Sequence, residues 1–167
     1  VFDRNGTFIE TIVAVTEFVT PFNRPNGVAI ADDGTVYIAD TWNYKIRAFD
    51  TASQEVVSWG SPGQFGAMAP VEPLDGFWGP RDVEIDAAGN AYVADTGNKR
   101  IRVYDANGVW QRDIGSAGGG PDQLNEPSGL AITSDGRLYI ADTWNRRVSV
   151  FTVDGTPLFT FPIRGWY

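Results

Sequence analysis

The chain has 167 residues, with 13 Lys and Arg against 21 Asp and Glu, and so a formal net charge of −8. That sign repels phosphate backbones and anionic membrane surfaces, which argues against a nucleic-acid partner, and no apolar run approaches the length of a membrane span, so direct membrane insertion is not expected. Neither cysteine nor histidine is present, which removes disulfides, thiolate chemistry, the usual neutral-pH base and any Ser-His-Asp triad from this chain.

Apolar residues make up 43% and aromatics 13%, and 19 Gly with 10 Pro supply many turns. This balance predicts an all-β chain with few long helices. The chain opens on Val1, without a basic stretch leading into an apolar one, as expected of a piece of a longer protein.

The first segment, residues 1–20, reads as half a repeat. Val1-Phe2-Asp3 matches Ala48-Phe49-Asp50, and Phe8 to Val13 follows the Asn5-Gly6 turn as a last strand. Three full repeats come next, over 21–66, 67–122 and 123–167. Each opens on a proline-led strand: Pro25 to Ile30, Pro80 to Ile85, Pro127 to Ile132. The next strand ends Tyr37-Ile38-Ala39-Asp40, Tyr92-Val93-Ala94-Asp95 and Tyr139-Ile140-Ala141-Asp142. Asp40 to Asp95 is 55 positions and Asp95 to Asp142 is 47, so an insertion lies between Gly60 and Gly79. A third strand carries Ile46 to Phe49, Ile101 to Tyr104 and Val148 to Phe151, and a fourth ends near Trp59, Ile114 and Phe161. Asn-Gly and Asp-Gly pairs between strands predict two-residue hairpins. Phe49, Tyr104, Phe151 and the fourth-strand positions, Trp59 among them, are expected in the core. Gly115 to Gly120 reads as a flexible connection, since it lacks the lysine of a phosphate loop. A four-stranded antiparallel unit repeating at this period is one blade of a β-propeller.

The Pro-x-Gly-Val-Ala-Ile, Tyr-Ile-Ala-Asp-Thr-x-Asn and basic-Ile-x-x-Phe segments resemble the NHL repeat. The resemblance implies propeller blades of NHL type, about three and a half of them, forming an open arc unless completed by association. It also implies a platform for ligands. Some members of that wider group are metal-dependent lyases or hydrolases, and the amidating lyases among them use histidine ligands, which this chain lacks.

Asp40, Asp95 and Asp142 each precede a basic residue by five positions, namely Lys45, Arg100 and Arg147. Their expected role is structural: an ion pair across the loop plus acceptance of backbone N–H groups. Asn43, Asn98 and Asn145 are expected to supply a left-handed turn. Asp82 and Glu84 depart from the repeat, where the other blades have Gly27/Ala29 and Gly129/Ala131. Residues two apart share one side of a strand, so this acidic pair needs Arg81 or Arg24 as partners, or a cation. Carboxylates alone would favour calcium. Trp42, Trp78 and Trp144 fall on loops that emerge at one rim, with Asn43, Arg24 and Arg81 as polar neighbours; flat apolar faces there suit a protein, peptide or glycan ligand.

These features predict a non-catalytic interaction module, with no cofactor and no catalytic residue. The alternatives are part of a calcium-dependent propeller hydrolase or lyase, and a structural or assembly fragment. Self-association is the expected completion of the arc. An extracellular or cell-surface setting suits the repeat style, but no residue fixes the compartment.

Overall fold

The computed structural model describes residues 1–9, 21–50, 55–63 and 76–163. Three four-stranded antiparallel sheets follow one another in sequence. Blade 1 comprises β1 (Val28–Ile30), β2 (Val36–Asp40), β3 (Lys45–Phe49) and β4 (Glu55–Trp59). A short parallel pair, β5 (Ser61–Pro62) with β6 (Gly76–Phe77), leads to blade 2. That blade holds β7 (Asp82–Ile85), β8 (Ala91–Asp95), β9 (Arg100–Tyr104) and β10 (Trp110–Ile114). A second parallel pair, β11 (Ser116–Ala117) with β12 (Gln123–Leu124), leads to blade 3. There lie β13 (Pro127–Ile132), β14 (Arg137–Asp142), β15 (Arg147–Thr152) and β16 (Pro157–Pro162). The three sheets do not close into a ring. Of the leading half-repeat, the Phe2–Phe8 bridge is present; its continuation over 10–20, the Thr51–Gln54 turn and the bulk of the insertion lie outside the described residues.

Two cores separate the blades, and strand alternation builds both. Val83, Ala91, Val93 and Tyr104 of blade 2 face back onto Ala29, Tyr37, Ile46 and Trp59 of blade 1. The intervening residues Tyr92, Ala94, Ile101, Val103 and Ile114 face forward onto Leu130, Leu138, Ile140 and Phe151 of blade 3. A sheet that buries both faces must be apolar on both, and so β8 reads Ala-Tyr-Val-Ala without a polar position until Asp95. Phe49, Tyr104, Phe151 and Trp59 are buried as expected. Phe161 is not: it stands half exposed, because no further sheet among the described residues packs on the outward face of blade 3.

Two turn expectations need correction. Asn-Gly and Asp-Gly close three-residue loops rather than two-residue ones. Asp105 N–H donates to Val109 O while Gly108 N–H returns to Asp105 O, with Gly108 alone in the left-handed region at φ 76°. This is a type I turn with a glycine bulge, so the preceding Asn need not adopt positive φ. The glycine run 115–120 is not a loose connection. Its carbonyls approach Arg147 and Asn145 closely: Arg147 guanidinium N–H groups donate to Gly119 O and Gly120 O, and Asn145 Nδ2 donates to Gly118 O.

Candidate functional site

Each loop between the second and third strands of a blade is one turn of 3-10 helix, ended by a residue in left-handed conformation. That residue is Tyr44, Lys99 or Arg146, not the Asn before it. The Asn is otherwise engaged. Asn43, Asn98 and Asn145 each donate from Nδ2 to the blade's Asp and to a carbonyl of the preceding interblade loop. That double use, and not the left-handed turn expected from the sequence, explains the repetition of Asn.

The repeated Asp is fully buried in all three blades. It takes a backbone N–H not from its own loop but from 17 residues earlier: Asn23 to Asp40, Trp78 to Asp95, Asn125 to Asp142, at 2.7–2.8 Å. The expected ion pairs hold in two blades, Arg100 Nε to Asp95 at 2.9 Å and Arg147 Nε to Asp142 at 2.7 Å. In blade 1 the pairing differs. Lys45 is exposed, and Arg47 reaches Asp40 at 3.3 Å instead. Positions 45 and 47 share one strand side, and Arg47 can lie over the Phe22 ring, 4.6 Å from its centroid, while holding the carboxylate. Burial pushes the Asp95 carboxyl above its ordinary value, against the Trp78 N–H and Arg100, which pull it down.

These clamps fix one rim, and on it sits an aromatic row. Tyr44 stacks on Trp78 at 5.5 Å and meets Trp42 edge-on at 6.4 Å. Trp42 is 45% exposed, and Trp78 is half-buried. The row exists because blade 2 swaps residues. Blades 1 and 3 carry Asn in the interblade loop and Trp in the helical turn (Asn23/Trp42 and Asn125/Trp144), whereas blade 2 has Trp78 and Gly97. A Cβ on Gly97 would lie 2.1 Å from Trp78 Cδ1, so the glycine is the space Trp78 occupies. Trp144 stands apart from the row. It is 66% exposed, and its indole N–H donates to Glu126 at 2.6 Å. Thr143 and Arg146 beside it help line a cavity of about 260 Å³. Tyr44, central to the row, is not among the residues singled out from the sequence; from a left-handed backbone it stacks across to the next blade.

Asp82 and Glu84 lie on the innermost strand of blade 2, as expected, but Asp82 does not pair with arginine. Arg81 points the other way along the strand and is exposed, as is Arg24. Asp82 accepts instead from Val83 N–H at 3.0 Å and, across the blade boundary, from Leu130 N–H at 2.7 Å. A Cβ on Gly27 would meet Asp82 at 2.3 Å, and one on Gly129 would come within 3.9 Å of it. The small residues of the flanking blades therefore make room for this one carboxylate. Burial raises the Asp82 carboxyl above 3.8, and burial then the Asp82 charge raise that of Glu84. No group of three His, Cys, Asp or Glu gathers around this pair or elsewhere among the described residues.

Stacked four-stranded sheets joined in this order define propeller blades, and the comparisons agree. Residues 7–118 match the SMP-30/Gluconolactonase/LRE-like region, and residues 124–151 match the NHL repeat. The chain belongs to the SMP-30/gluconolactonase-like family and carries NHL-type repeats.

Among curated relatives, it is 30% identical over 112 residues to the probable peptidyl-alpha-hydroxyglycine alpha-amidating lyase pgal-1 of Caenorhabditis elegans, which covers 66% of this chain and 30% of that protein. It is 34% identical over 84 residues to Protein SUPPRESSOR OF QUENCHING 1, chloroplastic, of Arabidopsis thaliana, covering 50% of this chain and 8% of the relative. Human NHL repeat-containing protein 3 is 33% identical over 90 residues, 53% of this chain and 24% of that one. The chain thus spans under a third of each of these relatives. Among solved structures, a streptogramin B lyase superposes with TM-score 0.64 at 18% identity, covering 87% of this chain and 43% of that one. A chain of a nidogen/laminin complex superposes with TM-score 0.63 at 21% identity, covering 86% and 51%. At these identities the structural likeness speaks for the fold alone.

The matches overturn the expectation that the chain is not an enzyme. A curated relative of this segment is named as a probable lyase. The lack of His and Cys bears only on the chemistry these residues can supply, and a propeller draws a central site from several blades.

Proposed function

We propose that the chain is a ligand-binding segment of an SMP-30/NHL-type propeller, and that the Trp42–Tyr44–Trp78 row receives a peptide. The observation that carries the reading is the stacked and edge-on aromatic row, held open to solvent on clamped loops. Rigid aromatics with few rotatable bonds lose little entropy on binding, and they anchor peptide side chains through large apolar contact. A peptide is favoured over a glycan because one relative is named for a peptidyl substrate. The row is a place to hold a ligand whether or not a reaction follows elsewhere in a propeller.

Panning a random peptide library on the purified chain tests this, with the selected peptide titrated by tryptophan fluorescence. Trp42→Ala together with Tyr44→Ala is expected to weaken binding by about 10- to 100-fold, the loss of one or two anchor contacts. Affinity unchanged in that double variant, or no peptide selected, overturns the reading. A glycan that binds the same row in a parallel titration, where peptides do not, overturns the choice of ligand.

A further inference from the structure

The chain carries a net charge of −8, yet its charges are sorted between the two rims. The turns at the rim away from the aromatic row are acidic. Asp32 and Asp33 lie between β1 and β2, Asp86 between β7 and β8, Asp105 between β9 and β10, Asp135 between β13 and β14, and Asp154 between β15 and β16. Cations stand around the row itself. Lys45 opens β3 directly after Tyr44, Arg81 follows Trp78 by three residues, and Lys99 holds in blade 2 the left-handed position that Tyr44 holds in blade 1. Arg24 precedes the proline that leads into β1. Lys45, Arg81 and Arg24 are exposed and Lys99 is half-buried. Among the described residues, none of these four side chains enters an ion pair.

The fold frees these cations by satisfying the repeated aspartates in other ways. Asp40 takes Arg47 and Asp95 takes Arg100, so both carboxylates are buried and engaged, and Lys45 is left to solvent beside the row. Blade 3 shows what the same rim looks like with the opposite charge. There the residue before the proline is Glu126, and it accepts the indole N–H of Trp144 at 2.6 Å. In blade 1 that position is Arg24, and the counterpart of Trp144 is Trp42, the exposed end of the row. Both residues have left-handed backbones, φ 49° at Arg24 and 53° at Glu126, so they leave the chain alike. A base therefore replaces the acid beside the tryptophan. The Trp42 indole N–H has no acceptor among the described residues, and it and Arg24 call for the same kind of group.

We infer that this rim selects acidic peptides: an apolar side chain seats on the Trp42–Tyr44–Trp78 row while flanking Asp or Glu side chains meet Lys45, Arg81, Lys99 and Arg24. The inference rests on the reading of the row as a peptide site and adds the charge of the peptide to it. A carboxylate accepts charge-assisted hydrogen bonds from Lys and Arg, and it can accept from the Trp42 indole as well. The net charge of the chain does not cancel this attraction. At physiological ionic strength exposed charges are screened beyond about 8 Å. The acidic turns lie a strand away, roughly 16 Å for five residues such as those of β2. A phosphate backbone is the poorer occupant, because its charges run on past four cations.

Fluorescence anisotropy with three labelled peptides tests it, each with a central Leu-Phe pair flanked on both sides by Asp, by Ser or by Lys. The Asp peptide is expected to bind about 10-fold tighter than the Ser peptide at physiological ionic strength, the sum of a few exposed charge pairs, and the Lys peptide weakest. Near 1 M salt, where the screening length is about 3 Å, the preference is expected to vanish. Lys45→Gln with Arg81→Gln changes exposed positions, so this double variant is expected to keep the wild-type circular dichroism and the Ser-peptide affinity while losing most of the preference. Arg4→Gln with Arg137→Gln removes the same charge from the opposite rim and is expected to keep the preference. A Ser or Lys peptide that binds as tightly as the Asp peptide overturns the inference and leaves the row standing as a peptide site. If none of the three binds, the inference falls, and the row falls with it only when the random library also selects no peptide. A preference that survives the first double variant, or that the second also abolishes, overturns the role of these cations. Single-stranded RNA that binds tighter than the Asp peptide and displaces it overturns the choice of occupant.

Discussion

Asp95→Ala is the most informative single change to the frame of the rim. Asp95 is fully buried and accepts three hydrogen bonds, from Trp78 N–H at 2.8 Å, Asn98 Nδ2 at 2.9 Å and Arg100 Nε at 2.9 Å. Removing one member of a buried ion pair costs about 3–5 kcal/mol, because the other charge stays buried with less to hold it. Arg100 keeps Asp113 at 2.8 Å and Gly76 O at 3.2 Å, which places the loss toward the lower end of that range. The stranded Trp78 N–H adds about 1–3 kcal/mol where no water reaches it. A total of roughly 4 kcal/mol is a large part of the 5–15 kcal/mol that holds a domain folded. It corresponds to a fall in Tm of about 8–16 °C for a chain of this size. Asp95→Asn keeps an acceptor for Trp78 N–H and removes the cost of burying a charge, so it is expected to lose less than Asp95→Ala. Thermal unfolding followed by circular dichroism, at one matched protein concentration for all variants, measures both. A fall below about 2 °C for Asp95→Ala, one kcal/mol or less on the same scale, would refute the argument that this carboxylate ties the interblade loop to the strand.

Two further predictions concern the departures of blade 2. Gly97→Trp restores the residue found in the other blades but collides with Trp78, and is expected to cost about 1–3 kcal/mol by overpacking; Trp78→Asn in the same chain should recover most of that loss. A double-mutant cycle reads the coupling, and additivity within about 0.5 kcal/mol would sink the exchange. Asp82→Asn tests the raised carboxyl. A folded-state value above 3.8 means that the folded chain binds more protons than the unfolded one between 3.8 and the raised value, so stability falls as pH rises through that window. The variant lacks this slope. Its Tm is expected to gain on the wild type as pH rises through the window and to hold that gain above it; a difference that stays flat with pH contradicts the reading.

The sequence determined much of this protein because the fold is a repeat. Proline, Tyr-x-Ala-Asp and Asn return at fixed spacing, and each return needs the same local solution, so three copies report on one another. Strand order within each sheet and the burial of Phe49, Tyr104 and Phe151 followed from that alone, since alternation along a strand is a local property. What the sequence could not determine was which partner each repeated polar group takes. Asp40 looks toward Lys45 along the chain, yet in space Arg47 is the cation that lies over Phe22 and reaches it. Asp82 looks paired with Arg81, its neighbour, but adjacent strand residues point to opposite sides, and its acceptor role is met by Leu130 N–H 48 residues on. Trp42, Trp78 and Trp144 look equivalent by loop, yet only Trp42 and Trp78 are joined, through Tyr44. Hydrogen bonds and ring contacts reach 3–6 Å in any direction, without regard to separation along the chain, and so only the packing of one blade on the next decided them.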